Sequence, residues 1–124
     1  NPKFMKKSLS LLETAVKENR ADPKNLAYLA DRIAVFEGKH QLYGTQFDWD
    51  EAGELNPNPF DAIEKVNQRR KEIGLNSMEE QILLMRNRVK NEKQVPPKDY
   101  QERNKKFIEW REAVGWIIKE MESK

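Results

Sequence analysis

Apolar residues in this chain recur three and four positions apart, in separate runs broken by proline and glycine. Met5, Leu9, Leu12 and Val16 have the spacing that lines one face of an α-helix, and Leu11 with Ala15 widens the stripe. Asn1-Pro2 supplies a cap and a proline whose missing N–H would be orphaned in a first turn anyway, so a helix is expected from there to about Asn19. Asp22-Pro23 repeats the signal for a second helix carrying Leu26, Leu29, Ala30, Ile33 and Phe36, with Gly38 as a left-handed stop. The short connection makes the two an antiparallel pair. Asp61 is expected to cap a third helix with Ile63, Val66 and Ile73 inward and Gly74 at its end. Asn76-Ser77 then starts a fourth, with the stripe Met78, Ile82, Met85 and Val89, and with Glu79 and Glu80 in the favourable first turn. A fifth is expected from about Asp99 to Met121, with Phe107, Trp110, Val114, Ile117, Ile118 and Met121 along one side and Trp116 off it.

Between residues 39 and 59 the helical period is lost, and Gly44, Gly53, Pro57 and Pro59 punctuate a polar stretch. Leu42 to Asp50 is compatible with a strand, and the turn at 51–54 could lead to a second near Leu55. Mean hydropathy is -0.96 and 35% of residues are charged, which suits helices with thin apolar stripes better than a sheet buried on both faces. The expected fold is therefore mainly α, about five helices with a short β-hairpin or ordered loop between helices 2 and 3. At 124 residues it reads as a single domain, 1–124, with a linker at 94–98 where Val95-Pro96-Pro97 breaks the chain.

Composition removes several classes of function. A net charge of +2 gives no global field that would favour nucleic acid or membrane. Residues 65–106 do hold 12 bases against 6 acids, including Arg69, Arg70, Lys71, Arg86, Arg88, Lys90 and Lys93. Without a glycine-rich phosphate loop or interleaved aromatics this reads as a solvated helix face, and nucleic acid is disfavoured. There is no cysteine and one histidine, so no metal site and no cofactor is expected. No apolar run approaches the roughly 18 residues of a membrane span, and a soluble protein, with the cytoplasm favoured, is the expectation. The chain opens on Asn1 without an initiator methionine and reads as a processed or trimmed piece.

The densest set of hydrogen-bonding groups lies at 31–46, DRIAVFEGKHQLYGTQ. Asp31 and Arg32 are adjacent on a helix and point about a hundred degrees apart, so each needs its own partner. Asp31 should sit at the rim of the buried face. It either accepts backbone N–H groups from the following loop or serves as a general base; Arg32 either clamps a carboxylate or forks an anionic ligand. His40 stands in a polar run and reads as incidental. Gly44 allows positive φ, so neighbouring backbone N–H groups can converge there, with Gln41, Tyr43, Thr45 and Gln46 around a small polar cavity. Those groups suit a neutral or anionic ligand, and they could equally satisfy one another. No serine or threonine has a base and orienter beside it, so nucleophilic catalysis lacks support.

The block AYLADRIAVFEGKHQLYGTQ at 27–46, followed by PFDAIEKVNQRRKEIGL at 59–75, resembles an uncharacterised bacterial domain family. Its members share an acid-arginine pair, a glycine, Q-x-Y-G-T-Q and later R-R-x-x-x-G-L, which fall here on Asp31, Arg32, Gly38, Gln41, Tyr43, Gly44, Thr45, Gln46, Arg69, Arg70, Gly74 and Leu75. The resemblance covers 1 to about 85 and brings no activity with it. It implies that the chain is the family's C-terminal portion, lacking an upstream Gly-x-Pro stretch and a Gln-His-Ala helix. A site shared with that portion would be half present here, and an apolar face would be left to pack on it or to form a homodimer. The leading expectation is a pocket for a small polar ligand or a peptide, built from Arg32, Gln41, Tyr43, Thr45, Gln46 and one of Arg69 or Arg70, with Asp31 as orienter. The rivals are a hydrolase or transferase using Asp31 as base, with Arg32 or Arg69 stabilising developing charge, and a structural or protein-interaction module in which the motif is internally satisfied.

Overall fold

A computed structural model describes residues 1–118. Over these the chain is mainly α: α1 (Pro2–Lys17), α2 (Pro23–Glu37), β1 (Phe47–Trp49), β2 (Leu55–Pro57), α3 (Ile63–Glu72), α4 (Met78–Asn91) and α5 (Tyr100–Ala113). The two strands form an antiparallel hairpin with Phe47, Asp48 and Trp49 opposite Pro57, Asn56 and Leu55. Three helix starts follow the sequence signals: Asn1 Oδ1 accepts from Phe4 N at 3.2 Å, Asp22 Oδ1 from Lys24 N at 2.9 Å, and Ser77 Oγ from Glu80 N at 3.2 Å. Gly38 closes α2 in the left-handed region, at φ 73°.

Three expectations are corrected. Asp61 does not cap α3; Ala62 holds that position without a side-chain bond, because both Asp61 oxygens are taken by Arg69 Nη1 and Nη2 at 3.0 and 2.8 Å. The fifth helix ends at Ala113, not Met121, since Gly115 turns the chain at φ 89° and Trp116 N returns to Arg111 O at 2.8 Å. Past that turn the helical period no longer applies, so Trp116 folds inward, with its ring 5.1 Å from that of Phe36, while Ile118 is 93% exposed. Met121 lies outside the described residues. The basic residues of α3 and α4 are not one solvated face either: Arg70 is buried, Arg69 holds Asp61, and Arg86 Nε donates to Leu55 O at 3.1 Å.

The apolar core is small. Ala27, Ile33, Leu55, Val66, Met78 and Trp116 are its buried members, drawn from α2, β2, α3, α4 and the turn after α5. No residue of α1 is fully buried; Met5, Leu9, Leu12 and Val16 are half-buried, and Leu11 faces out. The bulkiest fully buried side chains include Arg70, Gln41 and Asp31. A core this thin leaves much of the fold's specificity to polar groups, which must then be completely bonded.

α5 sits over the end of α2 and the hairpin. Phe36 meets Phe107 at 6.2 Å and Trp110 at 5.1 Å between centroids, Arg111 Nε donates to Phe36 O at 2.6 Å, and Arg103 pairs with Asp48 at 2.8 Å.

Candidate functional site

Asp31, carried by α2, is completely buried. Its Oδ1 accepts from the N–H groups of Leu42 at 2.8 Å and Tyr43 at 3.1 Å; its Oδ2 accepts from Thr45 N at 3.0 Å and Thr45 Oγ1 at 2.8 Å. The backbone convergence expected at Gly44 is therefore present, at φ 65°, and the anion seated in it is the protein's own carboxylate. Gly44 is pressed so closely on the core that a Cβ there would collide with Met78 Sδ.

Gln41 is buried as well and acts as an inserted peptide group. Its Oε1 accepts from Gln46 N at 2.9 Å, its Nε2 donates to Gln46 O at 3.0 Å and Asn58 O at 2.8 Å, and its own N–H reaches Pro59 O at 2.9 Å. One carboxamide thus joins the chain entering the hairpin to the chain leaving it. Arg70 closes the other side: Nη1 donates to Tyr43 O at 2.7 Å, Nε to Asn76 O at 2.6 Å, and Nη2 to Asn76 Oδ1 at 2.9 Å. Burial lowers its pKa from the ordinary arginine value and the Asp31 charge opposes that shift. Arg69, nearer solvent, donates to Leu42 O at 3.2 Å while its fork holds Asp61, whose pKa falls to about 2 chiefly through those hydrogen bonds.

Of the residues singled out in the sequence, Asp31, Gln41, Tyr43, Thr45, Gln46, Arg69 and Arg70 come together around this loop. Arg32 does not join them: it is exposed and makes no hydrogen bond or ion pair to any described residue. His40 is exposed too. The cavity that touches the network, lined by Tyr28, Thr45, Arg70, Leu75, Asn76 and Gln81, is about 60 Å³, room for water and not for a metabolite.

A larger cleft of about 380 Å³ opens on the other side of the loop, where Gln46 emerges. Val35, Phe36, Phe47, Asp48 and Asn58 form one wall and Tyr100, Arg103, Asn104 and Phe107 of α5 the other. A second lobe of about 390 Å³ shares Val35, Asn58, Asn104 and Phe107 and runs on past His40 to Arg111. Sequence reasoning found Gln46 and missed the rest, since the two walls lie more than forty positions apart in the chain. The one local hint was Asn58, held between Pro57 and Pro59. Among the described residues no group of three acidic, histidine or cysteine side chains could hold a metal ion, and no helix is long and apolar enough to cross a membrane.

A family model described as "Family of unknown function (DUF6624)" matches residues 2–91, and the chain belongs to that family. The match contains the whole Asp31 network and stops short of α5. Neither the curated proteins nor the solved structures provide a match.

Proposed function

We propose that this member of the DUF6624 family is a binding domain for a polar small molecule or a peptide, and that the ligand occupies the cleft beside Gln46. One observation carries the reading. Asn58 and Asn104 line the cleft with carboxamides that make no hydrogen bond to any described residue, between the aromatic rings of Phe36, Phe47, Tyr100 and Phe107. A carboxamide offers a donor and an acceptor together, and a few such groups among apolar walls are the usual make-up of a site for a neutral polar ligand. The Asp31 network then serves as the frame that fixes Gln46, with Gln41 and Arg70 as its other supports.

The enzyme reading has less support. Four donors occupy the two oxygens of Asp31 and no surface of it is exposed, so proton abstraction by that group would require the loop to come apart. The self-satisfied network also favours a second reading, a structural or protein-interaction module with no small ligand.

Thermal unfolding separates the two. Wild type, Asn104→Leu and Gln46→Leu are melted alone and with panels of polar metabolites and short peptides. The binding reading expects one class to raise the wild-type midpoint and to lose that effect in both variants; saturation at a hundredfold over Kd is worth about 2.7 kcal/mol. If no class moves the wild-type midpoint, the module reading stands instead.

A further inference from the structure

The two lobes of the cleft differ in charge. In the first, Arg103 and Asp48 meet in a two-pronged pair, Nη1 on Oδ2 at 3.0 Å and Nη2 on Oδ1 at 2.8 Å, so their charges cancel. The second is lined by Lys39, His40 and Arg111 and by no acidic residue. Glu37, two positions before Lys39, is outside that lining and is held by Lys6 at 2.9 Å, with Lys39 further off at 3.7 Å.

Arg111 is held at its root and free at its tip. Nε donates to Phe36 O at 2.6 Å, one of the last carbonyls of α2, which lack a helical partner. The guanidinium carbon sits 5.3 Å from the centre of the Phe107 ring, which fixes the plane of the group. Capping α2 accounts for Nε alone. Nη1 and Nη2 make no hydrogen bond or ion pair to any described residue, although they border a lobe of about 390 Å³. Nη2 also lies so close over Gly38 that a Cβ there would collide with it, so the glycine keeps room for the fork.

A fixed guanidinium edge with two unused donors matches the two oxygens of a carboxylate. A phosphate suits the place less well: the lobe adjoins the C-terminal end of α2, where the helix dipole opposes negative charge, and a dianion meets that opposition twice over. We propose that the second lobe binds the carboxylate of an N-acylated amino acid, the free C-terminal residue of a short peptide included, with Arg111 as the fork and Lys39 beside it. This rests on the binding reading above and names its ligand class. Such a molecule carries its groups in the order in which the cleft presents their partners. Its carboxylate meets Arg111, its amide meets the unbonded carboxamides of Asn58 and Asn104 that both lobes share, and its apolar group enters the first lobe between Phe36 and Phe47.

The test titrates the ¹⁵N-labelled full chain with N-acetylphenylalanine and N-acetylleucine, each as the free acid and as the primary amide, and follows the side-chain amides of Asn58 and Asn104. Each acid is expected to bind at least about tenfold more tightly than its amide, because only the acid forms the charge-assisted pair. The preference should vanish in Arg111→Gln and persist in Arg32→Gln, which alters an exposed arginine outside the cleft. Since Arg111→Gln also gives up the bond to Phe36 O, Lys39→Gln supplies a second variant, expected to weaken the acids by about two- to fivefold and to spare the amides. Equal affinities of acid and amide for wild type, or a preference that survives Arg111→Gln, overturn the carboxylate fork and leave the cleft as a site for neutral ligands. Tighter binding of phenyl phosphate than of either acid overturns it in favour of a phosphate. If neither acids nor amides perturb the cleft, the proposal falls, and the binding reading is then decided by the metabolite and peptide panels alone.

Discussion

Replacing Asp31 with asparagine preserves the shape of the side chain and changes only its hydrogen-bonding capacity. Oδ1 of the amide can still accept from Leu42 and Tyr43, but the other position becomes an NH₂ group facing Thr45 N at 3.0 Å and Thr45 Oγ1 at 2.8 Å. The Thr45 hydroxyl can rotate to accept; its backbone N–H cannot. One hydrogen bond to a charged acceptor is lost, about 1.5–3 kcal/mol, and one buried donor is orphaned, about 1–3 kcal/mol. Arg70, itself buried, also loses the favourable charge of Asp31. A total near 3–5 kcal/mol is expected, which for a chain of 124 residues lowers the midpoint by about 10–15 °C or more. Arg32→Ala at the neighbouring, exposed position should stay within about 0.5 kcal/mol of wild type. Differential scanning calorimetry of both variants gives the answer. An Asp31→Asn protein that melts with wild type, or an Arg32→Ala protein that falls as far as Asp31→Asn, would show that the carboxylate does not organise the loop.

Other positions give further checks. Gly44→Ala meets both a left-handed backbone and the Met78 sulfur, and should lose about 2–4 kcal/mol, whereas Gly115→Ala, at φ 89° with nothing within 4 Å of its Cβ, should lose only the strain of about 1–2 kcal/mol; urea unfolding compares the pair. Asp61 has a folded pKa of about 2, below the usual 3.8, so its pairing with Arg69 stabilises the fold above the ordinary value and is lost as pH falls through the folded one; carboxyl NMR should show a midpoint near 2 that returns towards 3.8 in Arg69→Ala. Arg111→Ala removes the donor to Phe36 O and the cation over the Phe107 ring, and hydrogen exchange should quicken throughout α5 while α3 is unchanged.

Helix positions were legible because caps and periods are local. Asn1, Asp22, Ser77 and Gly38 all act within a few residues of themselves, and each does what its type and place suggest. Two of the misses, Asp61 and Arg70, share a cause, which is competition from a partner elsewhere in the chain. Asp61 would suit the start of α3, yet Arg69 lies two turns on and its fork outcompetes a single backbone N–H. Trp116 falls off the apolar stripe only when the stripe is extended through Gly115. Arg70 looks like one member of a basic run, and nothing local shows that its guanidinium turns inward to Tyr43 O, 27 positions away in sequence. The location of the motif was readable in the same way, from residue density. Its state was not, because the groups that would hold a ligand are the groups that hold Asp31.

That ambiguity yields a last prediction. Three backbone N–H groups and a hydroxyl converge on one carboxylate, so the loop is an anion site occupied by a residue of α2. Asp31→Ala empties it while leaving the donors on the loop. The vacated space is that of a carboxylate, which formate matches in charge, size and both oxygens. Formate should therefore restore part of the stability lost in Asp31→Ala, as any ligand of the native state must. With a Kd of about 50 mM, 0.5 M formate would return about 1.4 kcal/mol, or roughly 5 °C in midpoint. Sodium chloride at the same concentration controls for screening, and wild type controls for general salt effects, because its site is already filled. Rescue confined to the variant and to formate identifies the loop as a preformed anion cradle. Equal shifts in wild type, or equal shifts with chloride, would mean that the donors converge only when Asp31 is there to gather them.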